Sequence, residues 1–394
     1  MTQNDFDVVV GGGGIQGAGC AQAAAAAGYR VCLLEQNTWG SGTSSRSSKL
    51  IHGGLRYLET FQFGLVRKSL NERKILLRIA RPLVHPVPFY IPVYAHSKHP
   101  SWKIFVCLSL YSLLGGFDSL ARFRCVPKHE WGQLGGLKTA HLKQVFQYWD
   151  TQTDDQLLTR AVVQSAQKLG ASVHQYANVM RAEPYASGYQ VTYIKDETTY
   201  QLNCRIIVNA AGPWAAELQN RIQSAPAAPQ VELVQGAHIE LAGRVSDGIF
   251  YIESPTDQRA VFIMPWHDNT LVGTTETAFS GDPATPQATD EEVAYLLEAI
   301  QHYFPDFQAK LLNSFAGLRV LPKLTESFSA RPRDTLVQYD NEHKPTVITL
   351  YGGKLTAYRA TADTVLNKMR LTLGQPNTGK ESQSTREIYV CKPV

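Results

Sequence analysis

Apolar residues recur with two different periods along the first part of the chain. Val8–Val10 form a short continuous run, the pattern of a strand buried on both faces. Glycines fill positions 11 to 14, and Ile15 to Ala27 is then almost entirely small and apolar, a helix pattern closed by Gly28. A second apolar run, Val31–Leu34, ends on Glu35. The order predicted is strand, tight turn, helix, strand. Leu65–Ala80 has a helical spacing, with Leu65, Leu70, Ile75, Leu76, Leu77 and Ile79 apolar and arginine or lysine on other faces. Prolines 82, 86, 88, 92 and 100 predict extended segments and turns over 82–100.

Trp102–Leu114 is the most apolar stretch, about thirteen residues where a bilayer span needs ~20. It reads either as a buried helix or as one lying in a membrane interface, with Trp102, Lys103 and Tyr111 as anchors. Asp154 and Asp155 open a helix that runs to Leu169. Strand patterns follow at 173–179, 189–194 and 200–208, the last running into Asn209-Ala210-Ala211-Gly212-Pro213-Trp214. Five further strand patterns, at 231–234, 238–241, 249–252, 260–264 and 270–274, predict an antiparallel sheet. An acid-capped helix is expected over 290–304. Val347–Leu350 is a strand that enters Tyr351-Gly352-Gly353-Lys354-Leu355-Thr356, and a helix follows to about Leu373.

Gly12, Gly14 and Gly17 fit G-x-G-x-x-G. The first glycine makes the turn, the second lets backbone approach a pyrophosphate, and the third lets helix pack on strand. The helix N-terminus, opening at Ile15, offers N–H groups and a positive dipole end. Glu35 lies eighteen residues after Gly17, where a carboxylate takes both ribose hydroxyls. Such a unit serves NAD or FAD. Glycine corners recur at 209–213 and 351–356, and assembly of one nucleotide domain from three separated segments favours FAD.

The chain has 394 residues, 44% of them hydrophobic, enough for a large core divided between two interleaved domains. The formal net charge of +4 says little, but its distribution says more. Between Arg30 and Glu130 fifteen Lys and Arg face five Asp and Glu, which suits an anionic ligand or an anionic membrane surface. No nucleic-acid module pattern is present, so nucleic acid is not expected as a partner. The six cysteines are scattered without CxxC or Cys/His metal spacing, so no metal site is expected. The N-terminus lacks a basic signal region, and a reducing, cytoplasmic setting is the simpler expectation.

Residues 37–60 form a loop dense in Ser, Thr and Gly, and within it TSSRSSKLIHGGLRYLE resembles the hallmark of the FAD-dependent glycerol-3-phosphate dehydrogenases. VNAAGPWA resembles the second flavin-domain signature of two-dinucleotide-fold flavoproteins. YGGKLTAYRATAD, GAHI and LVGTTE resemble the family's C-terminal and substrate-sheet motifs, so the resemblance covers about residues 5 to 372. The fold it implies is α/β, a two-domain flavoprotein of the glutathione-reductase/D-amino-acid-oxidase-like type. A Rossmann-like FAD domain would come from 1–85, 140–220 and 330–375, an antiparallel-sheet substrate domain from 86–139 and 221–329, and a tail from 376–394. Against the family's common form the chain ends soon after the flavin domain, which implies a short form without the helical C-terminal domain.

Carried over position by position, the resemblance implies these roles. Gly12, Gly14, Ile15, Gly17 and Glu35 hold the ADP half of FAD, and Val179 meets the adenine edge. Thr43, Ser44, Ser45, Ser48 and Leu50 lie along pyrophosphate, ribityl chain and ring, together with Ala211, Gly212, Gly353, Leu355 and Thr356. Arg56 and Arg319 clamp a substrate phosphate, with Arg333 as a third cation and Tyr57 and Thr275 beside it. Lys354 sits near flavin and substrate, and His238 is the base, although a lone histidine between strands is more often structural. The reaction implied is oxidation of sn-glycerol 3-phosphate to dihydroxyacetone phosphate, with hydride passing to flavin N5 and electrons to a quinone. A peripheral contact with the inner face of the cytoplasmic membrane is a separate expectation, motivated by the Arg30–Glu130 excess of cations and the Trp102–Leu114 run. Two rivals stay open: a flavin oxidase of an amino acid or 2-hydroxy acid using oxygen, and a flavin-binding subunit without catalysis.

Overall fold

The computed structural model describes residues 5–59, 61–116, 119–325, 328, 331 and 334–376. Phe6–Gly11 is the centre of the first sheet. It pairs in parallel with Val31–Leu34 on one side and Thr198–Asn209 on the other. Val347–Tyr351 adds in parallel to Thr198–Asn209, Leu336–Tyr339 closes that edge, and Ser172–His174 closes the other. A strand alternates its faces, and the burial follows. Val8 and Val10 point into one core with helices Ile15–Ala26, Asp155–Lys168 and Tyr358–Leu373, while Val9 points into another. That second core lies under an antiparallel ribbon of Ala177–Tyr185, Gly188–Lys195 and Thr198–Asn209. Cys20, Cys32 and Cys204 are buried in these two cores. The alanines of the first helix let its neighbours approach. A Cβ on Gly19 would stand 2.7 Å from the Tyr358 ring.

The second sheet is mostly antiparallel. Its order runs Thr277–Phe279, Val231–Leu241, Asn269–Gly273, Ala260–Trp266, Ile249–Glu253, Val84–Tyr94, Leu142–Thr153 and Leu50–Ile51. Leu311–Pro322 also pairs with Val231–Leu241, and Phe123–Val126 with Leu142–Thr153. Helix Asp290–Tyr303 covers one part of this sheet, and helices Phe63–Ile79 and Ser101–Leu114 another.

Two elements differ from the sequence reading. Residues 84–94 form one eleven-residue strand rather than broken extended pieces. Pro86, Pro88 and Pro92 are spaced by even numbers, so their missing N–H groups fall on one edge, and the ladder to Leu142–Thr153 keeps its donors on the other. Leu142–Thr153 lies within a segment expected in the FAD domain, yet it hydrogen-bonds in the second sheet. The helix that follows it, Asp155–Lys168, packs on the first. That strand and helix stitch the two sheets together.

At the stitch lies a buried ion pair. Lys49 Nζ is 2.6 Å from Asp155 Oδ1 and also donates to the Ser45 carbonyl at 2.6 Å. The other carboxylate oxygen of Asp155 accepts from Ser47 N and Ser47 Oγ. Asp155 is the first residue of its helix, where the dipole favours an anion. Asp155→Ala strands the Lys49 ammonium in the core and is expected to cost about 3–5 kcal/mol. Chemical denaturation of the holoenzyme reads this. A loss below about 1 kcal/mol, the range of exposed pairs, would contradict the assignment.

Candidate active site

Three chain corners and the second sheet meet around a cavity of about 390 Å³. At the first corner Gly12 has φ +107°, a conformation that favours glycine. A Cβ on Gly17 would lie 1.9 Å from the Gly12 carbonyl oxygen, so helix and turn are in backbone contact there. Gly14 precedes the helix and, having no side chain, does not itself cap the helix start. Ile15 N donates to Ser44 Oγ at 3.0 Å, which brings the Ser/Thr loop over the helix N-terminus. Glu35, at the end of the second strand, accepts from Gly13 N at 2.6 Å and Asn37 N at 2.7 Å. Burial pushes its pKa up, and those two backbone donors oppose the rise.

The second corner brings Ala211 and Gly212 to the cavity, and Val179 lines it from the ribbon. The Val179 carbonyl accepts from Arg221 Nη1 at 2.8 Å. The third corner brings Gly353, Lys354, Leu355 and Thr356. Gly353 has φ +103°, and a Cβ there would meet Gln16 Nε2 and Thr335 Oγ1, each at 2.5 Å. Thr356 Oγ1 accepts from His52 N at 3.2 Å, which ties this corner to the Ser/Thr loop. These donor-rich glycine corners, Glu35 and the open helix start fit a dinucleotide with a pyrophosphate at its middle.

The residues expected on the substrate side come from the second sheet, from the turn Leu55–Leu58 and from the third corner. His238 sits on Val231–Leu241 opposite Gly273 and Phe315. Its ring stacks on Phe315 at 5.1 Å, and Nε2 is 3.0 Å from Ser48 Oγ. Burial lowers its pKa to about 3, with Arg319 and then Lys49 acting in the same direction. His238 is therefore a neutral imidazole at pH 7. Arg56, Tyr57 and Arg319 line the cavity, and Lys354 Nζ lies 3.6 Å from the Tyr57 ring centre. Arg56 Nη2 and Arg319 Nη1 stand 3.9 and 3.8 Å from the same Glu276 oxygen.

Some expected residues are placed elsewhere. Gly17 packs on Gly12 behind the cavity wall, as its role in helix packing requires. Ser45 turns its hydroxyl to the Ser41 and Gly42 carbonyls and does not line the cavity. Thr275 is behind the wall too: its hydroxyl donates to Glu292 at 2.6 Å and accepts from Ala237 N. Thr43 and Leu50 line the cavity, and Thr43 also donates to the Leu318 carbonyl. Arg333 lies outside the described residues.

Sequence reasoning missed His52, Glu276 and Arg259 in the lining. His52 was visible inside the loop motif but without a role. Burial lowers its pKa to about 4, opposed by Asp150 and reinforced by Lys354 and Arg56. Behind it, Asp150 accepts from Arg73 at 3.0 Å, Tyr111 OH at 2.6 Å and Gly53 N at 3.2 Å. Those partners come from two helices and the loop, and no local pattern could announce them.

The fold and the three-cornered cavity define a flavoprotein, an oxidoreductase whose FAD domain is assembled from separated chain segments. The family model described as FAD dependent oxidoreductase matches residues 7–359. The glycerol-3-phosphate dehydrogenase of Pseudomonas aeruginosa is 37% identical over 371 residues, covering 93% of this chain and 72% of that one. The D-erythritol 1-phosphate dehydrogenase of Brucella abortus is 33% identical, covering 92% and 73%. The glycerol-3-phosphate dehydrogenase from Bacillus halodurans, solved complexed with FAD, superposes with a TM-score of 0.74 at 26% identity, covering 96% of this chain and 68% of that one. The chain belongs to the FAD-dependent oxidoreductases, in the family of the glycerol-3-phosphate dehydrogenases.

The two buried imidazoles set an acid limit on stability. In the unfolded chain both titrate near 6.5, and in the fold they stay neutral to about 3 and 4. Below pH 6.5 the unfolded state therefore binds protons first, and stability falls with pH through that window. Denaturation midpoints of wild type and His238→Gln at pH 7 and pH 5 read this, and the variant should lose less on acidification. Equal losses would contradict the burial assigned to His238.

Proposed function

We propose that this chain oxidises the secondary hydroxyl of sn-glycerol 3-phosphate to dihydroxyacetone phosphate and passes the electrons to a quinone. The observation that carries the reading is the convergence of Arg56 and Arg319 on one point of the cavity wall. Planar guanidinium forks suit a phosphate dianion. Lys354 adds a third cation nearby, and the helix opening at Ile15 points its dipole into the same cavity.

FAD, when bound, supplies the two-electron acceptor at its N5. The chain's own groups do the rest. Arg56 and Arg319 hold the phosphate and so fix the carbon to be oxidised. His238, a neutral imidazole, takes the hydroxyl proton at Nε2, where the substrate hydroxyl would displace Ser48 Oγ, now 3.0 Å away. Arrival of a dianion beside Arg319 offsets one of the two cationic influences that depress the His238 pKa, so substrate binding strengthens the base. Tyr57 under Lys354 fixes the ammonium over the site by cation–π contact.

Anaerobic addition of sn-glycerol 3-phosphate should bleach the flavin, and Arg319→Met should lower kcat/KM by about 10–100-fold, the worth of one charged hydrogen bond at 1.5–3 kcal/mol. An unbleached flavin rejects the reading. Peroxide made from an amino acid or 2-hydroxy acid would put the oxidase reading in its place.

Contact with a membrane surface is a separate part of the proposal. No helix among the described residues is long and apolar enough to cross a membrane. Helix Ser101–Leu114 buries Leu108, Tyr111 and Ser112 but leaves Trp102 69% and Leu113 56% exposed. Phe105 and Val106 are also exposed, as is Phe61 on the neighbouring loop at 77%. Arg67, Lys68, Lys74 and Arg78 are exposed on the adjacent helix. An apolar face rimmed by cations supports peripheral docking on the anionic inner face of the cytoplasmic membrane. Co-sedimentation with anionic vesicles at low salt, weakened at high salt and by Trp102→Ser, is the expected result. A chain that stays in the supernatant under both conditions opposes it.

A further inference from the structure

We infer that Arg46 is the side-chain cation that meets the pyrophosphate of the cofactor. The inference takes FAD as the cofactor and leaves the substrate phosphate to Arg56 and Arg319, and its first readout needs no turnover.

Arg46 stands in the middle of the Ser/Thr loop, half-buried, and lines the cavity. Its backbone is held from three directions. Its N–H donates to the Thr43 carbonyl at 3.1 Å and closes the short turn Thr43–Ser45. Ser47, the next residue, is tied through N and Oγ to Asp155 at 2.9 and 2.7 Å. Strand Leu311–Pro322 comes so near that a Cβ on Gly317 would stand 2.3 Å from the Arg46 carbonyl oxygen. The backbone is thus fixed, yet the guanidinium makes no hydrogen bond, ion pair or ring contact among the described residues. The other arginines on the cavity wall differ. Arg56 and Arg319 face Glu276 at 3.9 and 3.8 Å, Arg259 Nε donates to Asp257 at 2.6 Å, and Arg221 pairs with Glu217.

A guanidinium drawn partly out of water is costly without an anion beside it. The pyrophosphate of a dinucleotide belongs at the helix that opens at Ile15, where backbone N–H groups and the positive dipole end favour it. One of those N–H groups, that of Ile15, is already given to Ser44 Oγ at 3.0 Å. Arg46 is two residues beyond Ser44, so their Cα atoms lie at most about 7 Å apart. An extended arginine side chain covers such a span. The guanidinium stays charged at any pH the fold survives, and its planar fork suits adjacent phosphoryl oxygens. FAD thereby satisfies a cation that the polypeptide itself leaves unpaired, and Arg46 completes the neutralisation that the helix start begins.

The test follows release of FAD from the diluted holoenzyme, read by the fluorescence of free flavin, at low and high salt. Arg46→Met should raise the dissociation constant about 10–100-fold, the worth of one charged hydrogen bond. It should also flatten the dependence of that constant on ionic strength. Arg46→Lys, which keeps the charge without the fork, should fall between wild type and Arg46→Met. A residue that merely shapes the loop gains nothing from the lysine charge and leaves the salt dependence as in wild type. Dissociation constants within about twofold of wild type in both variants would overturn the inference. Equal weakening in both, with the wild-type salt dependence, would overturn it too and make Arg46 a structural part of the loop. Unchanged FAD release with a raised KM for sn-glycerol 3-phosphate would overturn it in favour of the substrate phosphate. Wild type that loads FAD yet ignores sn-glycerol 3-phosphate is the failure of the functional reading, and the order of flavin release among the three proteins still decides the role of Arg46.

Discussion

Backbone touching backbone between Gly12 and Gly17 is the constraint on which the rest depends. The Gly12 carbonyl lies where any side chain on residue 17 would have to be. Only that closeness lets the first helix start directly over the end of the central strand, with its N–H groups facing the cavity. The same strand end is crowded by Ala210, whose carbonyl oxygen would lie 2.6 Å from a Cβ on Gly12. First and second corners are thus packed against each other as backbone, and the third reaches them through Gln16 and Gly353. A site assembled from positions more than three hundred residues apart is held together chiefly by the absence of side chains.

The substrate half is organised differently. Its groups are placed by buried charge and hydrogen bonding rather than by close backbone approach. Lys49 and Asp155 pin the loop that carries Ser48 and, through it, His238. Asp150, with Arg73 and Tyr111, pins the next stretch at Gly53, three residues before Arg56. Glu292 fixes Thr275 and Thr277, the residues on either side of Glu276. Each hub is a buried carboxylate with several donors, the arrangement in which a buried charge is tolerated. The functional cations then stand on a frame whose own charges are already satisfied.

This difference explains what could be read from the sequence. Glycine corners announce themselves locally, because a left-handed φ or a missing Cβ leaves its mark in adjacent residues. Strand Phe6–Gly11, helix Ile15–Ala26 and strand Val347–Tyr351 were legible for that reason. Leu142–Thr153 was not, since its polar Gln144, Gln147 and Asp150 blur the alternation, and the partners of Gln147 and Asp150 lie far off in the chain. Pro86, Pro88 and Pro92 argued against a strand until their common edge was seen. Thr275 was expected at the substrate, but its hydroxyl turns to Glu292 and it is the neighbouring Glu276 that lines the cavity. The loop motif pointed to Ser45 at the cofactor, and the turn it caps keeps its hydroxyl at home. Long-range ion pairs leave no trace in local pattern, which is why the frame of the substrate half had to be seen in three dimensions.

The cysteines buried beside the flavin sheet bear on how such a catalyst ages. Burial pushes the Cys20 and Cys32 thiols up to about 12, and Cys204 rises as well. Oxidants and alkylating agents attack the thiolate, and access as well as charge decides the rate. A polypeptide that handles electron pairs thus keeps these three sulfurs both protonated and out of reach. Its chemical durability is secured by the same packing that shapes the cofactor cleft, and a looser core would surrender the two together.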